Sequence, residues 1–187
     1  CIRDSGSTDE KTNNILSYAK WKKTTIYTIR NSGVSIARNF GIEQSNGVYI
    51  LPLDGDDLLA PTYLEKAVAL LENDRNIKVV TCRTELFGAK KGEFILPKYS
   101  LETLVAQNVL VCSSLFRMKD FQKTKGFDSA MVLGLEDWDF WISLLGQDDG
   151  VVYKIDEILF YYRIAKKSRN SSMSSEVLDS LRRQVYD

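Results

Sequence analysis

The stretch GVYILPLDGDDLLAPTYL, residues 47 to 64, decides how the chain is read. A short, continuously apolar segment, as in a strand covered on both faces, runs into a loop with carboxylates at Asp54, Asp56 and Asp57. Pro61 then marks the first turn of a helix. Like charges this close oppose one another's ionisation, so the loop is either solvated or built to meet a cation. It can be an acidic strand-to-helix connection in which an aspartate caps the next helix. It can be compared with a calcium EF-hand, since Glu65 falls at the twelfth position from Asp54. That comparison fails: Leu58 and Leu59 stand where an oxygen ligand and a glycine are needed, and Pro61 starts a helix inside the loop. Or it is a D-x-D site, with Asp54 and Asp56 serving Mn2+ or Mg2+ against phosphates. Such ions use one or two carboxylates plus phosphate oxygens, so the short motif is chemically sufficient.

The rest of the chain narrows the chemistry. Its 187 residues suit a single domain with a sizeable core, and 44% apolar with 27% charged residues argues against wholesale disorder. Lys+Arg and Asp+Glu both number 25, so no bulk attraction to nucleic acid is indicated. There is no histidine, which removes Ser-His-Asp and Cys-His nucleophilic mechanisms and the usual zinc sites. Chemistry must run on carboxylates, hydroxyls, lysines or a hard metal ion. Cys1, Cys82 and Cys112 are far apart, form no CxxC pair, and read as reduced thiols of an intracellular protein. No apolar run approaches the ~20 residues of a membrane span, and no signal peptide is visible.

Outward from the acidic loop, strands and helices alternate. CIRDSGSTDEK opens with the remainder of a strand; Ser7 and Glu10 have capping-box spacing, predicting a helix to about Trp21. TTIYTIR (24–30) reads as a strand, and NSGVSIARNFGIEQSNG as a glycine loop and a helix with Ile36, Ala37 and Phe40 on one face. PTYLEKAVALLEND places Leu64, Ala67, Val68 and Leu71 on one stripe. Beyond it come a strand over 77–87, a hairpin-like GAKKGEF turn, a capped helix in SLETLVAQ and a strand in CSSLFR. A helix in EDWDFWISLLGQ buries Trp141, Ile142 and Leu145; strands VVYKI and ILFYYRI and a final helix after Ser-rich KKSRNSSMSSE complete the chain. The alternation through residue 73 predicts an α/β fold with a mostly parallel central sheet flanked by helices. In such sheets ligands sit beyond the carboxyl ends of strands, where Asp4 and Asp54 both lie.

Two further motifs have a plain and a functional reading. Glu136 and Asp137, in EDW, are acids at a helix N-terminus, a placement worth about 0.3–1 kcal/mol at an exposed site. The same pair could supply a general base between aromatic walls. Arg38, on a helix after a glycine loop, could be an ion-paired surface residue or a phosphate ligand.

Taken together, DSGSTD, NSGVSIARNFGI, GVYILPLDGDDLLAP, GFD and LEDWDFWISLL, ending in FYYRI, resemble the family 2 glycosyltransferases of GT-A fold, in order and over nearly the whole chain. The resemblance implies a Rossmann-like, nucleotide-sugar-binding GT-A domain over 1–187, with a donor-binding half at 1–73 and an acceptor-side half at 74–187. It implies that Asp4 contacts the nucleotide base, that Arg38 lies near the nucleotide, that Asp54 meets ribose or metal, and that Asp56 is the principal ligand of Mn2+ or Mg2+. Asp57 would support or cap. Asp137 would be the catalytic base, with Glu136 beside it binding or orienting the acceptor; Trp138 would wall the acceptor pocket or join the core. The implied activity is inverting transfer from a nucleotide-diphosphate sugar, UDP first, to a glycan or lipid-linked saccharide. The implied setting is cytoplasmic, including peripheral association of the full-length protein with a membrane.

The chain begins at Cys1, and the family's first strand with its IPxYN-like loop has no counterpart, so an N-terminally incomplete domain is expected. The histidine that many members carry after YYR is also missing, which would leave metal binding to depend more heavily on Asp56, or Arg163 and Lys166 to meet the phosphates. The rival readings are a nucleotidyltransferase, disfavoured by the lack of basic residues after the glycine of DSGSTDE, and a truncated, non-catalytic sugar-nucleotide binding module.

Overall fold

The computed structural model describes residues 2–4, 6–148, 150–166 and 175–186. Along the chain run β1 (Ile2–Asp4), α1 (Glu10–Tyr18), β2 (Ile26–Thr28), α2 (Val34–Glu43), β3 (Tyr49–Ile50), β4 (Leu58–Leu59) and α3 (Tyr63–Asn73). Then follow β5 (Ile77–Gly88), β6 (Gly92–Phe94), α4 (Leu101–Ala106), β7 (Leu115–Arg117), α5 (Met118–Phe121), α6 (Glu136–Leu145), β8 (Val151–Ile164) and α7 (Ser175–Tyr186). Most of the Ser-rich segment before α7 lies outside the described residues, as does Cys1. No helix among the described residues is long and apolar enough to cross a membrane.

The fold is α/β, but the expected mostly parallel sheet is not what forms. Parallel pairing joins β1 to β2, in a ribbon of its own, and β5 to β8. Every other pairing in the main sheet, ordered β3-β7-β5-β8-β4 with β6 on β5, is antiparallel. The reason is topological. Alternating strand and helix fixes direction only where sequence neighbours are also sheet neighbours, whereas β3 pairs with β7 and β4 with β8, strands from much later in the chain.

The long β5–β8 pair is the spine. The sequence suggests two strands over 151–164; the structure makes one, and the polar Asp156–Glu157 interruption is a bulge. Cys82 pairs with Ile155 and the next residue, Arg83, with Ile158, which leaves those two residues unopposed. On one side of the spine α3 buries Tyr63, Ala67 and Leu71 against Val80, Ile155 and Phe160. Leu64, expected on that stripe, is exposed, and the Tyr63 hydroxyl finds carbonyls of Val80 and Ser113 at 3.1 and 3.2 Å. Pro61 precedes the helix, whose N-cap is Thr62. On the other side α6 packs Phe140 and Trp141 against Phe116, with Phe127 stacked on Phe140 at 4.3 Å. Trp138 belongs to this core, its indole N–H donating to the Leu104 carbonyl at 2.5 Å.

Two local expectations shift. α1 is capped by Asp9, which accepts the Thr12 N–H at 2.8 Å, and ends at Tyr18; Ser7 is drawn away to Asp4 instead. None of the residues of α1 is buried. α2 buries Ser35, Ala37 and Ile42, while Ile36 is exposed.

Arg117 locks the spine to α3. Its buried guanidinium donates to the carbonyls of Ile77 at 2.5 Å, Asp74 at 3.1 Å and Leu71, and lies 3.7 Å from the buried Asp120. Carbonyls at a helix C-terminus have no intrahelical donors and favour a cation. Replacing Arg117 by Met strips these acceptors of their partner and leaves Asp120 poorly compensated, so urea titration is expected to show a loss of about 3 kcal/mol. A loss within measurement error would show that the guanidinium merely fills space.

Candidate active site

The first candidate, Asp4, ends β1 and is buried. Its Oδ1 accepts both the N–H and the hydroxyl of Ser7, at 3.0 and 2.5 Å, so the glycine-serine loop folds back over the carboxylate. Gly6, at φ +80°, permits that turn. Asp4 faces a cavity of about 740 Å3 that runs past Leu16 and Trp21 of the α1 region to Arg38 and the Asp54 loop.

Arg38 is the hub. Its guanidinium is buried, and it donates to Glu136 at 2.6 Å and to both oxygens of Asp54, at 2.9 and 3.1 Å. It also lies over the Phe127 ring at 5.5 Å. Burial works against its charge, but the Asp54 and Glu136 carboxylates outweigh burial and push its pKa up. One residue on, Asn39 pairs with the backbone of Phe127 in both directions, donating to its carbonyl and accepting its N–H at 2.8 Å each. The ARN motif thus ties α2 to the acidic loop, to the GFD turn and to the start of α6.

The D-x-D loop is a turn closed by the Asp57 N–H on the Asp54 carbonyl at 3.1 Å. Asp57 is buried and does not cap α3; it accepts the Arg163 N–H at 2.8 Å and so pins the loop to β8. Burial and the neighbouring Asp56 and Asp54 charges push its pKa up to about 6, against the pull of that N–H. Arg163 donates from Nε to the Asp56 carbonyl at 2.9 Å and stacks on Phe87 at 4.3 Å, so it supports the loop. The Asp56 side chain is exposed and has no hydrogen bond or ion pair among the described residues. No cluster of three or more carboxylate or thiol ligands occurs among the described residues. The donor set is nevertheless chemically suited to a hard cation that arrives with phosphate oxygens, since one or two carboxylates are enough for it.

Glu136 and Asp137 occupy the first turn of α6. The turn is entered through Leu135 at φ 63°, a left-handed conformation costly for a residue with a Cβ. Glu136 is buried on Arg38. Asp137 borders a second cavity of about 400 Å3, shared with Arg38, Asp54, Asp57, Cys112 and Tyr162. Its Oδ1 accepts the Trp138 N–H at 2.8 Å. Burial first, and then the Glu136 charge, push its pKa up to about 6; Arg38, the Trp138 N–H and Asn108 pull the other way.

Asp4, Arg38 and Asp54 therefore line one cavity, Arg38, Asp54, Glu136 and Asp137 the next, and Arg38, Asp54 and Asp57 wall both. Asp56 stands at the exposed tip of the loop and lines neither. Asn39, Asn108, Cys112 and Tyr162 escape the sequence reading. Asn39 could have been found from its place beside Arg38; the other three carry no local signal.

Comparison with known proteins places the chain in a family. Residues 1–135 match the family described as Glycosyl transferase family 2. An uncharacterized glycosyltransferase of Haemophilus influenzae is 26% identical over 84% of this chain and 55% of its own. The O-antigen biosynthesis glycosyltransferase WbnJ of Escherichia coli is 28% identical over 80% of this chain and 61% of its own. The chain thus spans little more than half the length of these relatives. The crystal structure of S. aureus TarS 1-349 in complex with UDP-GlcNAc shares the fold, with a TM-score of 0.72 at 17% identity over 98% of this chain and 55% of that one. The motif loops, the GT-A architecture and the family match agree, and the chain belongs to glycosyl transferase family 2.

Proposed function

We propose that this domain carries out inverting transfer of a sugar from a UDP-sugar to a glycan or lipid-linked saccharide. The observation that carries the reading is the Arg38 bridge between Asp54 and Glu136, which makes the donor-side loop and the acidic helix start two walls of one site. The relative solved with UDP-GlcNAc supports the nucleotide, and the relative in O-antigen biosynthesis supports the acceptor class. Residues 1–73 then provide the donor side, through Asp4, Arg38 and Asp54, and residues 74–187 the acceptor side, through Glu136 and Asp137.

Asp4 meets the nucleotide base in the larger cavity, and Asp54 and Arg38 sit where ribose and diphosphate pass between the two cavities. Asp56, with Asp54, would hold Mn2+ or Mg2+, which when bound supplies charge neutralisation to the departing diphosphate. Asp137, ionised at neutral pH, takes the proton of an acceptor hydroxyl as that oxygen attacks the anomeric carbon. The bond from that carbon to the diphosphate breaks on the opposite face, so configuration inverts in a single displacement and no covalent enzyme intermediate forms. Glu136, paired with Arg38 at 2.6 Å, stands beside the base as the group that orients the acceptor.

Replacing Asp137 by Asn retains shape and removes the proton acceptor, so turnover of the full-length enzyme should fall about 10²–10⁴-fold with UDP affinity unchanged. Turnover preserved within a few-fold would reduce Asp137 to a helix-start acid. For the wild type, kcat/KM should fall as pH drops through about 6, because the base must be ionised to act. In calorimetry, UDP binding should weaken on adding EDTA, and Asp56→Ala should remove most of that dependence; equal affinity with EDTA in the wild type would count against a metal at this loop.

A further inference from the structure

The smaller cavity has an aromatic wall that the reaction as derived leaves unused. Phe94 of β6 and Phe160 of β8 flank Thr84 of β5 in register, and lateral neighbours in a sheet share a face. Tyr162, two residues beyond Phe160, points the same way. The rings meet: Phe94 and Tyr162 lie 6.2 Å apart at 46°, and Phe160 and Tyr162 6.3 Å apart at 22°. Phe160 is buried, whereas Phe94 and Tyr162 are half-buried; they pack against the core and also border the cavity. The Tyr162 hydroxyl makes no hydrogen bond among the described residues, so the wall offers ring surface with one unspent donor.

The charged lining of the same cavity is one-sided. Asp54, Asp57, Glu136 and Asp137 border it against a single guanidinium, that of Arg38, which is already paired with Asp54 and Glu136. Ring faces favour an apolar surface laid against them. Carboxylates favour hydroxyl donors and repel an added anion. A pyranose ring meets both demands, with C–H bonds on one face and hydroxyls around its rim. We propose that this cavity seats the ring of an acceptor sugar that carries no acid group, with Phe94 and Tyr162 against its C–H face and Glu136 and Asp137 taking its hydroxyls. The proposal rests on the cavity being the acceptor side of the site. It makes Phe94 and Tyr162 determinants of acceptor specificity. A phosphate- or carboxylate-bearing unit is refused as the accepting residue, because among the described residues the cavity holds no uncommitted cation.

The test is saturation-transfer NMR on the full-length protein with UDP present. The probes are the methyl glycosides of glucose, galactose, mannose and N-acetylglucosamine, with methyl glucuronide and glycerol phosphate as acidic counterparts. A neutral glycoside should bind, with saturation strongest on the C–H protons of one ring face, and the acidic probes should not. F94A should weaken that binding about tenfold, the loss of one ring contact. F94L keeps apolar bulk without the flat face and should weaken it less. Y162F removes only the hydroxyl and should cost about threefold. Calorimetric UDP affinity should be unchanged in both Phe94 variants. F94L carries the test should F94A fail to fold, and the comparison of neutral with acidic probes needs no variant. Acidic probes binding as well as neutral ones, no neutral glycoside binding, or binding indifferent to both Phe94 variants would overturn the inference and leave the rings as core. Failure of the donor reading shows separately, as a wild type that does not bind UDP; glycoside binding without UDP then still decides the role of the wall.

Discussion

The site depends on one buried guanidinium. Without Arg38, Asp54 and Glu136 would lose their one ion-pair partner among the described residues, beside Asp137 at the junction of two cavities. A buried arginine is costly to desolvate, and a single ion pair rarely compensates for it. Here the charge is shared between a buried Glu136 at 2.6 Å and a half-exposed Asp54 at 2.9 Å, with the face of Phe127 above. The arrangement fixes geometry more than it adds stability. It brings a loop at residue 54 and a helix start at residue 136 to opposite sides of the same cation, and Asn39 repeats the link through the backbone of Phe127.

The same constraint sets the chemical division of labour. Asp54 is bound on both oxygens by Arg38, whereas the Asp56 side chain projects into solvent without a partner among the described residues. The loop therefore offers one carboxylate already neutralised and one free, an asymmetry that suits a cation arriving with its own phosphate ligands better than a preformed cage. On the other side, Asp137 is packed closely by protein yet open to a cavity, and its raised pKa makes it a better proton acceptor than an ordinary surface aspartate while leaving it ionised at neutral pH.

What could be read in the sequence was what is local. Asp4 at a strand end, Asp54 and Asp56 in a tight turn, and Glu136 and Asp137 in a first helical turn sit in local structure announced by their own neighbours, and the motif order carries the family. The α4 cap at Ser100 and the β5–β6 hairpin are legible for the same reason. What could not be read is what is distant. Nothing near residue 49 says that β3 will pair antiparallel with a strand at 115–117, and nothing in Asp156–Glu157 distinguishes a loop from a bulge inside one strand. Asn39 against Phe127 and Arg117 across the end of α3 are likewise pairings over long sequence separations. Ser7 shows the limit within a motif: its capping spacing was real, but the Asp4 carboxylate took the hydroxyl and Asp9 took the cap.

The central claim is that the two cavities joined at Arg38 form one donor-and-acceptor site with Asp137 on the side away from the leaving group. The most direct measurement is a crystal structure of the full-length protein with an intact UDP-sugar and Mn2+. The account predicts the nucleotide in the larger cavity beside Asp4, the diphosphate at the Asp54–Asp56 loop, and the anomeric carbon at the Arg38 junction with its free face towards Asp137. A nucleotide bound away from Asp4 and Asp54, or an anomeric carbon with its diphosphate lying between it and Asp137, would contradict it.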